Sequence, residues 1–140
     1  AVSSCFLFGT PEIKVTGQKT VGGAVEELTT GDTIDFGSVG FYSTNGPVEM
    51  TFTIENLGTG RLTLTGTAPS FVTLENDLDG IYSIPTPPGT DEVPGGESVQ
   101  FVIAFTSNED YDDKTALLTI ASDDEDESEF ELNLTGYAGC

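Results

Sequence analysis

The chain has 140 residues, enough for one β-sandwich with a core of its own and short for two independent domains. Its formal charge is −20, with 24 acidic residues against only Lys14, Lys19, Arg61 and Lys114; such a field repels phosphate backbones and anionic lipids and argues against nucleic-acid binding and electrostatic membrane docking. The chain contains neither histidine nor tryptophan, so Ser-His and Cys-His nucleophiles, His-ligated metals and an aromatic-lined sugar cleft are all disfavoured, and the expectation is a protein without catalytic activity.

The sequence opens at Ala1 without an initiator methionine, which suggests that a signal peptide has been removed, although a trimmed recombinant chain would look the same. No stretch approaches the roughly 20 apolar residues of a membrane-spanning helix. A secreted protein is therefore expected, extracellular or at a cell surface, without membrane insertion.

Residues 1–10 stand apart as an N-terminal arm. Cys5, Phe6, Leu7 and Phe8 form a continuous apolar run ahead of Gly9 and Pro11. Such a run is either an extra N-terminal edge strand of its own sandwich or a strand lent to a neighbouring copy, as in donor-strand complementation. Three successive apolar side chains suit a strand covered on both faces, whereas a solvent-facing edge would alternate or carry charge. The assembly role thus falls on Cys5, Phe6, Leu7 and Phe8, and the expected partner is a further copy of the chain in a head-to-tail homopolymer.

Cys5 and Cys140 are the two cysteines, and their separation fits neither a metal site nor a redox motif. A disulfide is expected, either closing one chain on itself or joining neighbouring copies. A relaxed lipoprotein cleavage site at Val-Ser-Ser-Cys is a third reading, opposed by the residues standing before Cys5.

Residues 11–140 read as an immunoglobulin-like antiparallel β-sandwich of about seven to nine strands. In chain order, short strands are predicted at Ile13 with Val15 and at Ile34 with Phe36. Pro47 to Asn56 follows, in which Val48, Met50, Phe52 and Ile54 alternate with polar residues. Further short strands are predicted at Leu62 with Leu64, at Phe71 to Leu74 and at Ile81 to Ile84. The same alternation returns in Val99, Phe101, Ile103 and Phe105, in Ala116, Leu118 and Ile120, and in Phe130, Leu132 and Leu134. These three and Pro47 to Asn56 are the expected core strands. Asn-Gly at 45 and 46, Leu-Gly-Thr-Gly from 57 to 60, Pro-Pro-Gly from 87 to 89 and Pro-Gly-Gly from 94 to 96 supply turn chemistry.

Two acidic clusters flank the strand running from about Thr115 to Ser122. Glu109, Asp110, Asp112 and Asp113 precede it, while Asp123, Asp124, Glu125, Asp126 and Glu127 follow it. At about 3.3 Å per residue they lie roughly 25 Å apart, so one ion cannot be shared between them. Either cluster offers several oxygens to calcium, through Asp110, Asp112 and Asp113 or through Asp123, Asp124 and Asp126, although neither has the EF-hand spacing; the other reading of each is a solvated turn. Asn133-Leu134-Thr135 is a glycosylation sequon with Glu131 two residues before it, and strand alternation turns Asn133 outward.

Several segments together carry a family resemblance: Pro11-Glu12-Ile13, Asp35-Phe36-Gly37-Ser38-Val39, Phe52-Thr53-Ile54-Glu55-Asn56 followed by Gly58, Leu62-Thr63-Leu64, Val99 to Phe105, Ile120 to Glu127 and Leu134-Thr135-Gly136. From Pro11 onward the chain resembles the bacterial choice-of-anchor D type of repeat, related to the abnormal-spindle and Hydin class of immunoglobulin-like domains. The resemblance implies a sandwich module of secreted or surface-attached proteins and carries no catalytic residues. The apolar arm and the terminal cysteines depart from that pattern and point toward assembly. The expected function is thus a structural subunit of an extracellular fibre or matrix, joined through its N-terminal strand. The alternative is a monomeric adhesion or ligand-binding module of the cell surface, with calcium as the ion it would take.

Overall fold

Period-two alternation puts every second side chain of a strand on one face, and two such faces bury one another. The computed structural model describes residues 9–39, 47–68, 70–77, 80–106 and 112–138, and shows this arrangement. Its strands are β1 (Ile13–Gln18), β2 (Val25–Leu28), β3 (Thr33–Val39), β4 (Val48–Asn56), β5 (Leu62–Thr63), β6 (Thr73–Glu75), β7 (Tyr82–Thr86), β8 (Glu92–Val93), β9 (Ser98–Phe105), β10 (Asp112–Ala121) and β11 (Glu129–Ala138). One sheet has the order β2-β1-β4-β9-β7, the facing sheet β3-β11-β10-β6, and β5 pairs with β8 at the side. The architecture is an immunoglobulin-like β-sandwich.

The four core strands predicted from alternation pair as two hairpin-like couples, one per sheet. β4 lies against β9 with Phe52 opposite Phe101, and β10 against β11 with Leu118 opposite Leu132. Their inward residues, with Ile13, Val15, Ile34 and Phe36, form one buried cluster. Phe52 and Phe101 stack at 5.6 Å between ring centres, and Phe36 reaches across from β3 to meet Tyr82 edge-on at 5.6 Å. Phe105 lies 4.9 Å from Tyr82, and a Cβ on Gly136 would come within 2.8 Å of the Phe105 ring, so the close approach of β11 needs a glycine there.

Three features depart from the expected pattern. β3 runs parallel to β11, and Thr20 makes a parallel bridge to Asp35 of β3, because the chain crosses between sheets after β2 and lies down beside its own last strand in the same direction. Phe71 is no part of a strand: its φ of 62° is left-handed, and strand β6 begins only at Thr73. Two strands lack any alternation signal, β2 with Val25, Glu26 and Glu27 all exposed, and β8 with two residues. They raise the number of strands among the described residues to eleven. The apolar run Cys5 to Phe8, the Asn45-Gly46 turn and Cys140 lie outside the described residues.

The two ends of the described chain lie at opposite poles of the sandwich. Gly9 packs against Thr59 and Gly60, and Ile13 pairs with Asn56 at the end of β4. Ala138 pairs with Asp112 and Val39 at the other pole. Ten residues of β11 separate the poles, roughly 30 Å at about 3.3 Å per residue.

At the Ala138 pole the Tyr82 hydroxyl donates to the Lys114 carbonyl at 2.8 Å, joining the sheets. Burial, aided by Asp77 and Asp35, pushes the phenol far above its ordinary pKa, so it stays a donor throughout the stable range. Tyr82→Phe is expected to cost about 1 kcal/mol in a urea titration with an unchanged slope. A cost below a few tenths would show that the bond contributes nothing to holding the sheets together.

Candidate functional site

The Gly9 pole is where polar chemistry is buried. Asn56 ends β4 and is fully buried, which an amide tolerates only when its hydrogen-bonding groups are satisfied. Its Nδ2 donates to the carbonyls of Gly60 at 2.7 Å and Val93 at 2.9 Å, and its Oδ1 accepts from the amides of Gly58 at 3.0 Å and Glu12 at 3.1 Å. One side chain thereby holds three segments: the approach to β1, the 57–60 loop and the end of β8. Backbone approach is so close that a Cβ on Gly58 would collide with the Thr10 carbonyl, which explains glycine in the Asn-Leu-Gly sequence.

Asp124 is the second anchor. It is 2 % exposed, its Oδ2 accepts from the Ile13 amide at 2.9 Å and its Oδ1 from the Asp126 amide at 3.0 Å. The first of these bonds fastens the start of β1, in one sheet, to the β10–β11 turn of the other. Asp123 makes a parallel tie, its Oδ1 accepting from the Thr63 amide at 2.8 Å while its own amide donates to the Thr63 carbonyl. The sequence left this acidic run open between a calcium loop and a solvated turn; two of its carboxylates serve as backbone acceptors that close the end of the sandwich.

Glu12, Asp124 and Asp126 bring carboxylate oxygens within 4.8 Å of one another. They border a cleft of about 330 Å³ lined by residues 9–12 and 123–126. Calcium takes six to eight oxygens. Glu12 and Asp126 are exposed and face the cleft, whereas both oxygens of Asp124 are already engaged by backbone amides. What the arrangement does without an ion is concentrate negative charge. Glu127, beside it, has its carboxyl pushed above the ordinary glutamate range by burial first, then by Asp124, Glu12, Asp126 and Glu27.

A raised acid favours the folded state in its protonated form. That contribution is present below the ordinary glutamate pKa and is lost as the pH rises through the raised one. Glu127→Gln is therefore expected to raise the melting midpoint slightly at neutral pH, with the advantage vanishing on acidification below the glutamate range. An advantage that persisted unchanged in acid would show that charge is not its cause.

The other predicted site residues fall elsewhere. Asp112 and Asp113 open β10 rather than precede it, at the pole opposite Asp123 to Glu127, and Glu109 lies outside the described residues. Asp112 Oδ1 is 3.0 Å from the Nζ of Lys114, and no group of carboxylates converges there among the described residues. Asp110 lies outside them. Asn133 is exposed on the outer face of β11, as alternation predicted, and its Nδ2 donates to the Gly31 carbonyl at 3.1 Å. Glu12 and Asn56 were not singled out as site residues. Glu12 is distant in sequence from Asp124 and Asp126, and Asn56 from Glu12 and Val93, while the local bonds of Asn56 to Gly58 and Gly60 left only the Asn-x-Gly spacing at 56–58 as a sign of a tight polar turn.

No protein-family model matches the chain, and no curated protein matches it either. Among solved structures it is similar to a protein of unknown function from Porphyromonas gingivalis W83, at 20% identity and TM-score 0.57, covering 92% of this chain and 64% of that one. It is also similar to the secreted serine protease VesC from Vibrio cholerae, at 19% identity and TM-score 0.51, covering 79% of this chain and 23% of that one. The ASH / PapD-like domain 7 of human CEP192 follows at 16% identity and TM-score 0.43, covering 92% and 84%. The chain thus spans less than two thirds of the first two proteins, and at these identities what it shares with them is the β-sandwich fold.

Proposed function

We propose that the chain is a non-catalytic structural module of an extracellular fibre or matrix, joined head to tail through its N-terminal arm. The observation that carries this reading is the placement of Gly9 and Ala138 at opposite poles, roughly 30 Å apart along β11. Ends at opposite poles leave room for copies linked head to tail to extend into an open thread, the outcome of a heterologous contact whose rotation does not close into a ring. The sequence supports it further, since Phe6, Leu7 and Phe8 stand immediately before the pole at which the chain enters the sandwich. Asn56 and Gly58, among the residues that carry the resemblance to the choice-of-anchor D repeat, are the ones that hold that pole. An extracellular setting accords with the strongly acidic composition and with an even number of cysteines, two, one near each end of the sequence.

Deleting residues 1–9 tests the reading, because the Asn56 and Asp124 anchors engage residues from Thr10 onward and remain. The truncated chain is expected to fold and stay monomeric by light scattering, while the full chain assembles. Assembly of the truncated chain would remove the arm from the mechanism. A full chain that stays monomeric at high concentration would favour the alternative, an adhesion or ligand-binding module.

A further inference from the structure

We propose that Asn133 is the attachment site of an N-linked oligosaccharide, carried on the flank of the sandwich; the inference shares the extracellular setting of the reading above but not its mode of assembly. Asn133 is followed two residues later by Thr135, whereas Asn45, Asn56, Asn76 and Asn108 have neither serine nor threonine at that spacing. Such triplets also arise by chance, and it is the surroundings of this one that give it weight. Positions i and i+2 of a strand share a face, so β11 sets Asn133 and Thr135 side by side on the outer surface of its sheet. Asn133 is exposed there, while Leu132 and Leu134 on either side are in the core.

The Asn133 side chain stands at an open hollow of about 350 Å³, whose other walls include Thr33, Asn76, Thr115, Leu117 and Thr135. No charged residue lines it, on a chain with 24 acids. Threonine hydroxyls and an amide beside Leu117 match the hydroxyls and C–H face of a first sugar ring. The linkage also fits the hydrogen bonding. Nδ2 carries two protons and donates to the Gly31 carbonyl at 3.1 Å; a sugar replaces one proton and leaves an N–H for that bond. Asn133 is four residues from Glu129 and five from Ala138, about 13 to 17 Å from either end of β11. A sugar there projects sideways and leaves both poles clear.

Transfer forms the Nδ2–C1 bond and breaks the C1–O bond of a lipid diphosphate-linked oligosaccharide. The Nδ2 proton passes to a base of the transferase, and the lipid diphosphate leaves. The acceptor is the chain during export, before β11 is laid between β3 and β10, because the folded sequon is held on both sides by those strands and by the Asn133 amide on the Asp32 carbonyl.

The test is peptide mapping by mass spectrometry of the chain isolated from the cells that make it. The expected result is a saccharide mass on the peptide containing Asn133, released as oxonium ions on fragmentation, with the other asparagines bare. Thr135→Ala, made in the same cells, should abolish the added mass without touching the acceptor nitrogen, and Thr135→Ser should retain it. A bare Asn133 on exported chain would overturn the inference alone, as would sugar retained on Thr135→Ala. Recovery of the chain from the cytoplasm would overturn the extracellular setting and this inference with it.

Discussion

Asn56→Ala is expected to lower stability by about 3 to 5 kcal/mol out of a total of roughly 5 to 15 for a domain of this kind, as much as truncating a buried core phenylalanine. The substitution strands two amide donors, Glu12 and Gly58, and two carbonyl acceptors, Gly60 and Val93, at a fully buried position. Each group left without a partner costs about 1 to 3 kcal/mol, and loop relaxation with water entry recovers part of the sum. Asn56→Asp separates donor loss from volume loss. The carboxylate still accepts from Glu12 and Gly58, but it faces the Gly60 and Val93 carbonyls with no proton to offer. Its defect should therefore shrink as the pH falls and the new carboxyl takes up a proton. Urea titrations at neutral and acid pH measure both effects. A loss below about 1 kcal/mol for Asn56→Ala would mean that the three segments hold together without the amide.

Asp124→Ala is expected to cost about 2 to 4 kcal/mol, because it leaves the Ile13 and Asp126 amides unpaired at a buried junction between the sheets. Asp124→Asn keeps one acceptor oxygen and should fall between the alanine variant and the native chain. The same substitution removes a negative charge from beside Glu12, Asp126 and Glu127, which offsets some of the loss at low ionic strength. Hydrogen exchange gives a second readout: the amides of β1 should open faster in the alanine variant, while those of the β4–β9 pair keep their protection. Uniform loss of protection across both sheets would show that Asp124 supports the whole fold rather than the attachment of β1.

The strands that sequence made legible are those in which burial follows a strict period of two. Phe52 and Ile54, Phe101 and Ile103, Leu118 and Ile120, and Phe130 and Leu132 all lie in the core as their alternation required. β2 was silent because it is an edge strand with a single buried residue, Leu28. Phe71 misled because an apolar residue before Val72 looks extended, whereas the Thr67-to-Phe71 turn holds it at positive φ. The pole was the least legible part. Asp124 sits in a run of five acids in which nothing local separates it from its exposed neighbours. The amide it accepts from at the start of β1, that of Ile13, lies 111 positions away in the sequence. Glu12 joins the acidic group for the same non-local reason.

Electron microscopy of the intact, unreduced protein, with the rise per subunit measured along any filament, tests the central claim most directly. Pole-to-pole stacking predicts threads one sandwich wide with a rise on the order of 30 to 45 Å, the length of β11 plus the junction. Particles no larger than a single chain, or filaments whose rise matches the narrow width of the sandwich, would contradict it.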